Sequence, residues 1–203
     1  MKSAATRPRG RPRTFDRDAA LRVFRERGYE GTSLAELQEA MGGISPPSLY
    51  SAFGSKEELF KEAVALYRDS VAKGTIGALE APGVRTREAI HAMLQATVAH
   101  LTKAGEPRGC LIVLGATQCS PESEDVSEHL REMRVKTEDI IRARIERGIA
   151  EGDVPSGANV EAMATFVTAL GHGLSVQARD GASRATLDAA VSCAMGAWDA
   201  FAR

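Results

Sequence analysis

The sequence predicts an all-α fold, and three observations predict it. Of the 203 residues 43% are hydrophobic but only 5% aromatic, with Ala abundant and the strand formers Val, Ile, Tyr and Phe thinly spread, a balance that favours helices. Apolar residues recur at three- and four-residue steps, and no run alternates as a strand would. Gly, Pro and Ser clusters with helix-cap chemistry separate these stretches. The composition excludes a disordered or fibrous chain. No apolar run approaches the roughly 20 residues that span a bilayer, and none follows the basic start MKSAATRPRGRPRTFD. Neither a membrane span nor a secretory signal is expected, which leaves the cytoplasm.

Asp16 can cap a helix to about Arg27, with Ala20, Val23 and Phe24 on one face and Gly28 placed to stop it. Ser33 and Glu36 form a capping box ahead of Leu34, Leu37 and Met41, and Gly42 and Gly43 end that short helix. Ser45 can cap the next, with Pro46 in the first turn where its missing N–H costs nothing. Leu49, Tyr50 and Phe53 are its expected buried side, and Pro47, Ser48 and Ser51 its outer face. Ser55 and Glu58 make a second box, opening a helix through Leu59, Phe60, Val64 and Tyr67 that is expected to fade near Gly74.

Five further helices are expected. They are Thr86 to Lys103; the solidly apolar Gly109 to Cys119; a long one through Val126, Leu130, Met133, Ile141, Ile145 and Ile149 that stops at Gly152; about 159 to 178; and 184 to 203, with Leu187, Val191, Met195 and Trp198 on one face. The boundary between two domains is placed at residues 73 and 74. Three cysteines, Cys110, Cys119 and Cys193, are too few for a disulfide framework or a zinc knuckle and read as buried thiols.

Formal net charge is only -1, yet residues 1 to 27 carry nine Lys or Arg against three acids. Positive charge at one end suits a polyanionic partner, and equally a solubilising tail. Residues 33 to 53 have the layout of a helix-turn-helix, whose second helix enters the DNA major groove with its small outward residues close to base edges. Pro8-Arg9-Gly10-Arg11-Pro12 resembles an AT-hook core, in which Arg9 and Arg11 fit a narrow A·T-rich minor groove.

The string GYEGTSLAELQEAMGGISPPSLYSAFGSKEELF resembles the tetracycline-repressor-like (TetR/AcrR) family of bacterial transcription regulators. Its pattern falls on Gly28, Thr32, Ser33, Ser45, Leu49, Tyr50, Phe53, Lys56, Glu57 and Leu59, and the likeness covers residues 10 to 67. The resemblance implies phosphate contacts from Thr32, Tyr50 and Lys56, with Pro47, Ser48 and Ser51 in the groove. The expected DNA-binding set is thus Arg9, Arg11, Thr32, Ser33, Ser45, Pro47, Ser48, Tyr50, Ser51 and Lys56. One departure stands out: the turn Met41-Gly42-Gly43-Ile44 is one residue longer than the family's usual form.

For residues 74–203 the resemblance implies a small-molecule effector domain and a homodimer through the last two helices. Close approach there suits Gly171 and Gly173. Leu94, Val98, Val113, Leu114 and Phe166 are candidate apolar lining of an effector site, with Thr117 and Gln118 as its polar groups; plain core packing accounts for each position equally well. No catalytic constellation is legible, since His91, His100, His129 and His172 are isolated, and the acids Glu122, Glu124, Asp125 and Glu128 suit a helix start better than a metal. An enzyme, a metal and a cofactor are not expected. The expected function is a repressor that leaves its operator, a double-stranded DNA, when a small, largely apolar molecule binds; the alternative is an architectural or thiol-sensing DNA-binding protein without an effector.

Overall fold

The computed structural model describes residues 16–201, and within them the chain forms helices without strands. In order these are α1 (Arg17–Arg27), α2 (Leu34–Ala40), α3 (Pro46–Phe53), α4 (Lys56–Glu80), α5 (Thr86–Leu101), α6 (Leu111–Leu114), a 3-10 turn (Pro121–Ser123), α7 (Glu124–Glu151), α8 (Val160–Arg179) and α9 (Arg184–Phe201). None of the described helices is long and apolar enough to cross a membrane.

Two apolar clusters organise the fold. The first joins Phe24, Leu37, Leu49, Phe53, Phe60 and Tyr67 from α1 to α4, and it also takes in Leu111, Ala116, Val126 and Leu130. The second joins Leu79, Ile90, Leu94, Val98, Ile141, Ile145, Val167, Leu174, Leu187, Val191 and Trp198 from the far half of α4 and from α5, α7, α8 and α9. The head formed by α1 to α3 therefore shares one apolar cluster with α4, α6 and the start of α7.

Three expectations change. Helix α4 does not fade near Gly74 but continues to Glu80, burying Thr75 and Leu79; a Cβ on Gly74 would already touch Ala96, so the glycine sits where α5 packs close. The apolar stretch 109–119 is helical only over the four residues of α6, and Ile112, Val113 and Leu114 are half-buried. Cys193 is exposed, and Cys110 and Cys119 are intermediate; all three are free.

Candidate nucleic-acid interface

The helix-turn-helix is built from its caps. The Ser33 amide and hydroxyl both donate to the Glu36 carboxylate at 2.8 Å, and the Glu36 amide returns a bond to Ser33 Oγ at 3.2 Å. Those bonds hold the Glu36 carboxyl below its ordinary pKa, the Ser33 amide contributing most. In the longer turn Gly42 and Gly43 both adopt positive φ, 84° and 74°, which lets the amides of Gly43 and Ile44 donate to the Gln38 carbonyl at 2.9 and 3.1 Å. Any other residue pair would be strained in two successive left-handed positions. Buried Ile44 plugs the turn, and Ser45 then caps α3 by accepting from the Ser48 amide at 3.4 Å.

Leu49 and Phe53 anchor α3, while Pro47, Ser48 and Ser51 are exposed together on its outer side. Tyr50 does not share the buried side: it is 46% exposed. A residue one step past Leu49 is turned by 100°, and so short a helix buries only a narrow stripe. Thr32 is likewise turned inward, 2% exposed, its hydroxyl donating to the Gly28 carbonyl at 2.6 Å. That hydroxyl closes the α1–α2 corner. Lys56 Nζ lies 4.2 Å from the centre of the Tyr29 ring at the start of α4, and burial lowers its pKa against the pull of Glu30. Ser33 and Ser45 are exposed caps. Arg9 and Arg11, with the whole AT-hook-like segment, lie outside the described residues.

Behind the head, α4, α5, α7, α8 and the segment around α6 enclose a cavity of about 150 Å³. Leu94 and Val113 line it, as do Tyr67, Cys110, Arg134, Thr168 and His172. The other lining residues expected from the sequence lie outside this cavity. Val98 is wholly buried in the second cluster, Phe166 packs on that cluster's edge, and Leu114 is outside the cavity wall. Thr117 and Gln118 are exposed and border a separate surface hollow with Cys119, Ser120 and Glu124. Among the described residues no group of three or more His, Cys, Asp or Glu could hold a metal ion.

Two family models match the chain. The model for bacterial regulatory proteins of the tetR family matches residues 17–63, spanning α1 to the first turns of α4, and the tetracyclin repressor-like C-terminal domain matches residues 86–194. The HTH-type transcriptional repressor ComR of Escherichia coli (strain K12) is 34% identical over 179 residues, 86% of this chain and 85% of its own. The chain belongs to the TetR family. It is therefore a DNA-binding transcriptional regulator with the helix-turn-helix as its reading head. A cysteine-substituted form of the TetR family regulator CifR, solved with 26-base-pair double-strand operator DNA, is 48% identical, covers 93% of this chain and 100% of its own, and superimposes with a TM-score of 0.86. A second Escherichia coli (strain K12) repressor, BdcR, is 26% identical over 181 residues, 86% of this chain and 84% of its own.

Between the head and the cavity lies a seam to which no motif in the sequence pointed. Arg179, at the end of α8, donates to the carbonyls of Arg25 and Glu26 at 2.6 and 3.0 Å and to that of Arg108 at 2.9 Å, so it caps the negative end of α1. Arg25, 5% exposed, pairs with Glu106 at 2.8 Å and lies 5.2 Å from the centre of the Tyr67 ring. His100 stands edge-on to the same ring, and burial pulls its pKa down to about 4. Tyr67 thus faces the cavity and steadies α1 at once. Basic residues in the last turns of α1 and α8 were the available signal, but the partners of Arg179 are 71 to 154 residues away.

Proposed function

We propose that the chain is a homodimeric repressor, acting in the cytoplasm, that holds an operator with α3 and releases it when a small, largely apolar molecule occupies the cavity between α4, α5, α7 and α8. The observation that carries this reading is Tyr67, which lines that cavity while its ring stacks with Arg25 of α1. A ligand that favours one spacing of the two DNA heads must, by linkage, bind the DNA-free protein more tightly than the operator-bound protein. Residues 1–73 form the DNA-binding part and 74–203 the effector and dimerisation part. The dimer uses α8 and α9, where Val176 is exposed and Gly173 leaves open space for a second copy, while Gly171 borders the cavity.

Pro47, Ser48 and Ser51 face the major groove, Tyr50 and Lys56 reach phosphates, and Ser33 and Ser45 offer helix N-termini and hydroxyls beside them. Tyr50→Phe is expected to weaken binding by about 1 kcal/mol to a duplex enriched by the purified protein from a random pool, with melting temperature and sequence preference unchanged. Unchanged affinity in that titration removes the phosphate contact. A chain lacking residues 1–12 tests the arm: with Arg9 and Arg11 in a minor groove the salt slope drops by about 0.9 per lost contact and the loss is larger on A·T-rich flanks. Equal losses on A·T-rich and G·C-rich flanks would reduce the arm to general charge attraction.

A further inference from the structure

The cavity wall is one-sided in its polar chemistry. Three of its threonines give their hydroxyls to their own helices, Thr75 to Val71, Thr97 to Met93 and Thr137 to Met133, at 3.1, 2.9 and 3.0 Å. They present methyls to the space. Two other hydroxyls in the wall are buried: that of Thr168 makes no hydrogen bond among the described residues, and that of Tyr67 makes none of ordinary geometry but lies against the Cys110 thiol and the Leu111 amide. Burial first, and then the neighbouring Cys110 thiol, push the Tyr67 phenol well above its ordinary pKa, so it remains a neutral donor.

Positive charge also lines the space. Arg134 of α7 lines the cavity, donates one bond to the Ile112 carbonyl at 2.8 Å and is in no ion pair among the described residues. His172 lies in the same wall, half-buried, and its pKa is lowered by burial and then by Arg134, against the pull of Glu138. No aspartate or glutamate belongs to the lining. A buried hydroxyl without a partner costs about 1–3 kcal/mol, which a ligand that supplies the acceptor recovers, and the half-buried Arg134 has donors left beyond its bond to Ile112. A guanidinium is matched best by a carboxylate, which accepts two parallel bonds.

We propose that the cavity takes a small apolar monocarboxylate, its apolar body against Leu94, Val113 and the threonine methyls and its carboxylate on Arg134 with the Tyr67 and Thr168 hydroxyls. This rests on the effector reading given above and names the chemistry of its ligand. The Tyr67 hydroxyl is the link to the head, because the ring that carries it holds Arg25.

Benzoate and nitrobenzene test it, having one shape and one electron count but differing by a charge; a cavity of about 150 Å³ accommodates a benzene-sized body. In calorimetric titrations of the full-length, DNA-free protein, benzoate is expected to bind about tenfold more tightly than nitrobenzene. Arg134→Met should abolish that preference by weakening benzoate far more than nitrobenzene, and Tyr67→Phe should weaken benzoate by a few fold. If Arg134→Met does not fold, Arg134→Lys, which keeps the charge but loses the fork, should still lower benzoate affinity selectively. Equal or tighter binding of nitrobenzene, a preference that survives the Arg134 variants, or no binding of either probe overturns the assignment. Release of a fluorescent operator duplex is followed separately. Selective benzoate binding without release leaves the carboxylate assignment standing and defeats the release reading; release by both probes alike does the reverse.

Discussion

Asp153→Ala is expected to lower the unfolding free energy by about 3 kcal/mol, because it removes the carboxylate that accepts both Thr86 bonds and offsets part of the charge of the buried Arg144 guanidinium. Arg144 of α7 is 3% exposed, and it donates to Thr86 Oγ1 and to the Val84 carbonyl, both at 2.6 Å. Thr86, the first residue of α5, donates its own hydroxyl to Asp153 Oδ1 and its amide to Oδ2, both at 2.7 Å. A single carboxylate so ties the end of α7 to the start of α5. Gly148 leaves the room, since a Cβ there would collide with Thr86 Oγ1 and Asp153 Oδ1. Burial alone would raise the Asp153 pKa, but the two Thr86 hydrogen bonds and the Arg144 charge outweigh it and the net shift is downward. A carboxyl depressed in the folded state stabilises fully above its unfolded value, about 3.9, and that contribution disappears as pH falls through the folded value. Urea denaturation at pH 7 measures the loss, and the difference between wild type and variant should shrink on acidification below about pH 4. A loss below about 0.5 kcal/mol would mean that Glu151, 3.6 Å from Arg144, compensates the charge by itself. Thr86→Val and Asp153→Ala should be strongly non-additive, since each removes the same chain of bonds.

Helix starts were legible because their signals are local. Asp16, Ser33, Ser45 and Ser55 each cap the helix expected of them, with bonds to residues only three positions on. Stops were legible where a glycine must turn left-handed, as at Gly152, and illegible where it need not. Gly74 costs a helix interior about 1 kcal/mol, which the burial of Thr75 and Leu79 offsets. The apolar run 109–119 misled for a different reason. Its carbonyls have long-range partners: Ile112 accepts from Arg134, 22 residues on, and Gly115 accepts from the Tyr29 amide at 2.7 Å. Those bonds hold the segment in a short α6 with a tail, and no periodicity reveals them. The DNA-facing surface was legible because one short stretch carries it, though burial of Tyr50 could not be separated from that of Leu49 one step away. The cavity was not, because α4, α5, α7 and α8 each bring a stripe that reads as core until the four are assembled.

Gly28→Ala is expected to cost about 3 kcal/mol and to weaken operator binding beyond what the lower stability explains. Gly28 sits at φ 72° and ψ -178°, a region open to glycine almost alone, where another residue is strained by about 1–3 kcal/mol. A Cβ there would also stand 3.0 Å from the Gly115 carbonyl oxygen, tighter than ordinary contact. That oxygen accepts from the Tyr29 amide, so the collision falls on the bond that fastens the head to the segment after α6. Tyr29 in turn carries Lys56 on its ring, at the helix start that follows α3. Displacement at Gly115 therefore reaches a proposed phosphate contact through two residues. A thermal melt should fall by roughly 6–12 °C for a chain of this size. Gly42→Ala is the control: it has φ 84° but open space around it, so only the backbone term applies. The excess of Gly28→Ala over Gly42→Ala isolates the seam. Equal losses of stability for the two, with operator affinity unchanged at a temperature where both are folded, would show that the head and the α6 segment move past each other freely, and the route from cavity to DNA would then run through Arg25 and Tyr67 alone.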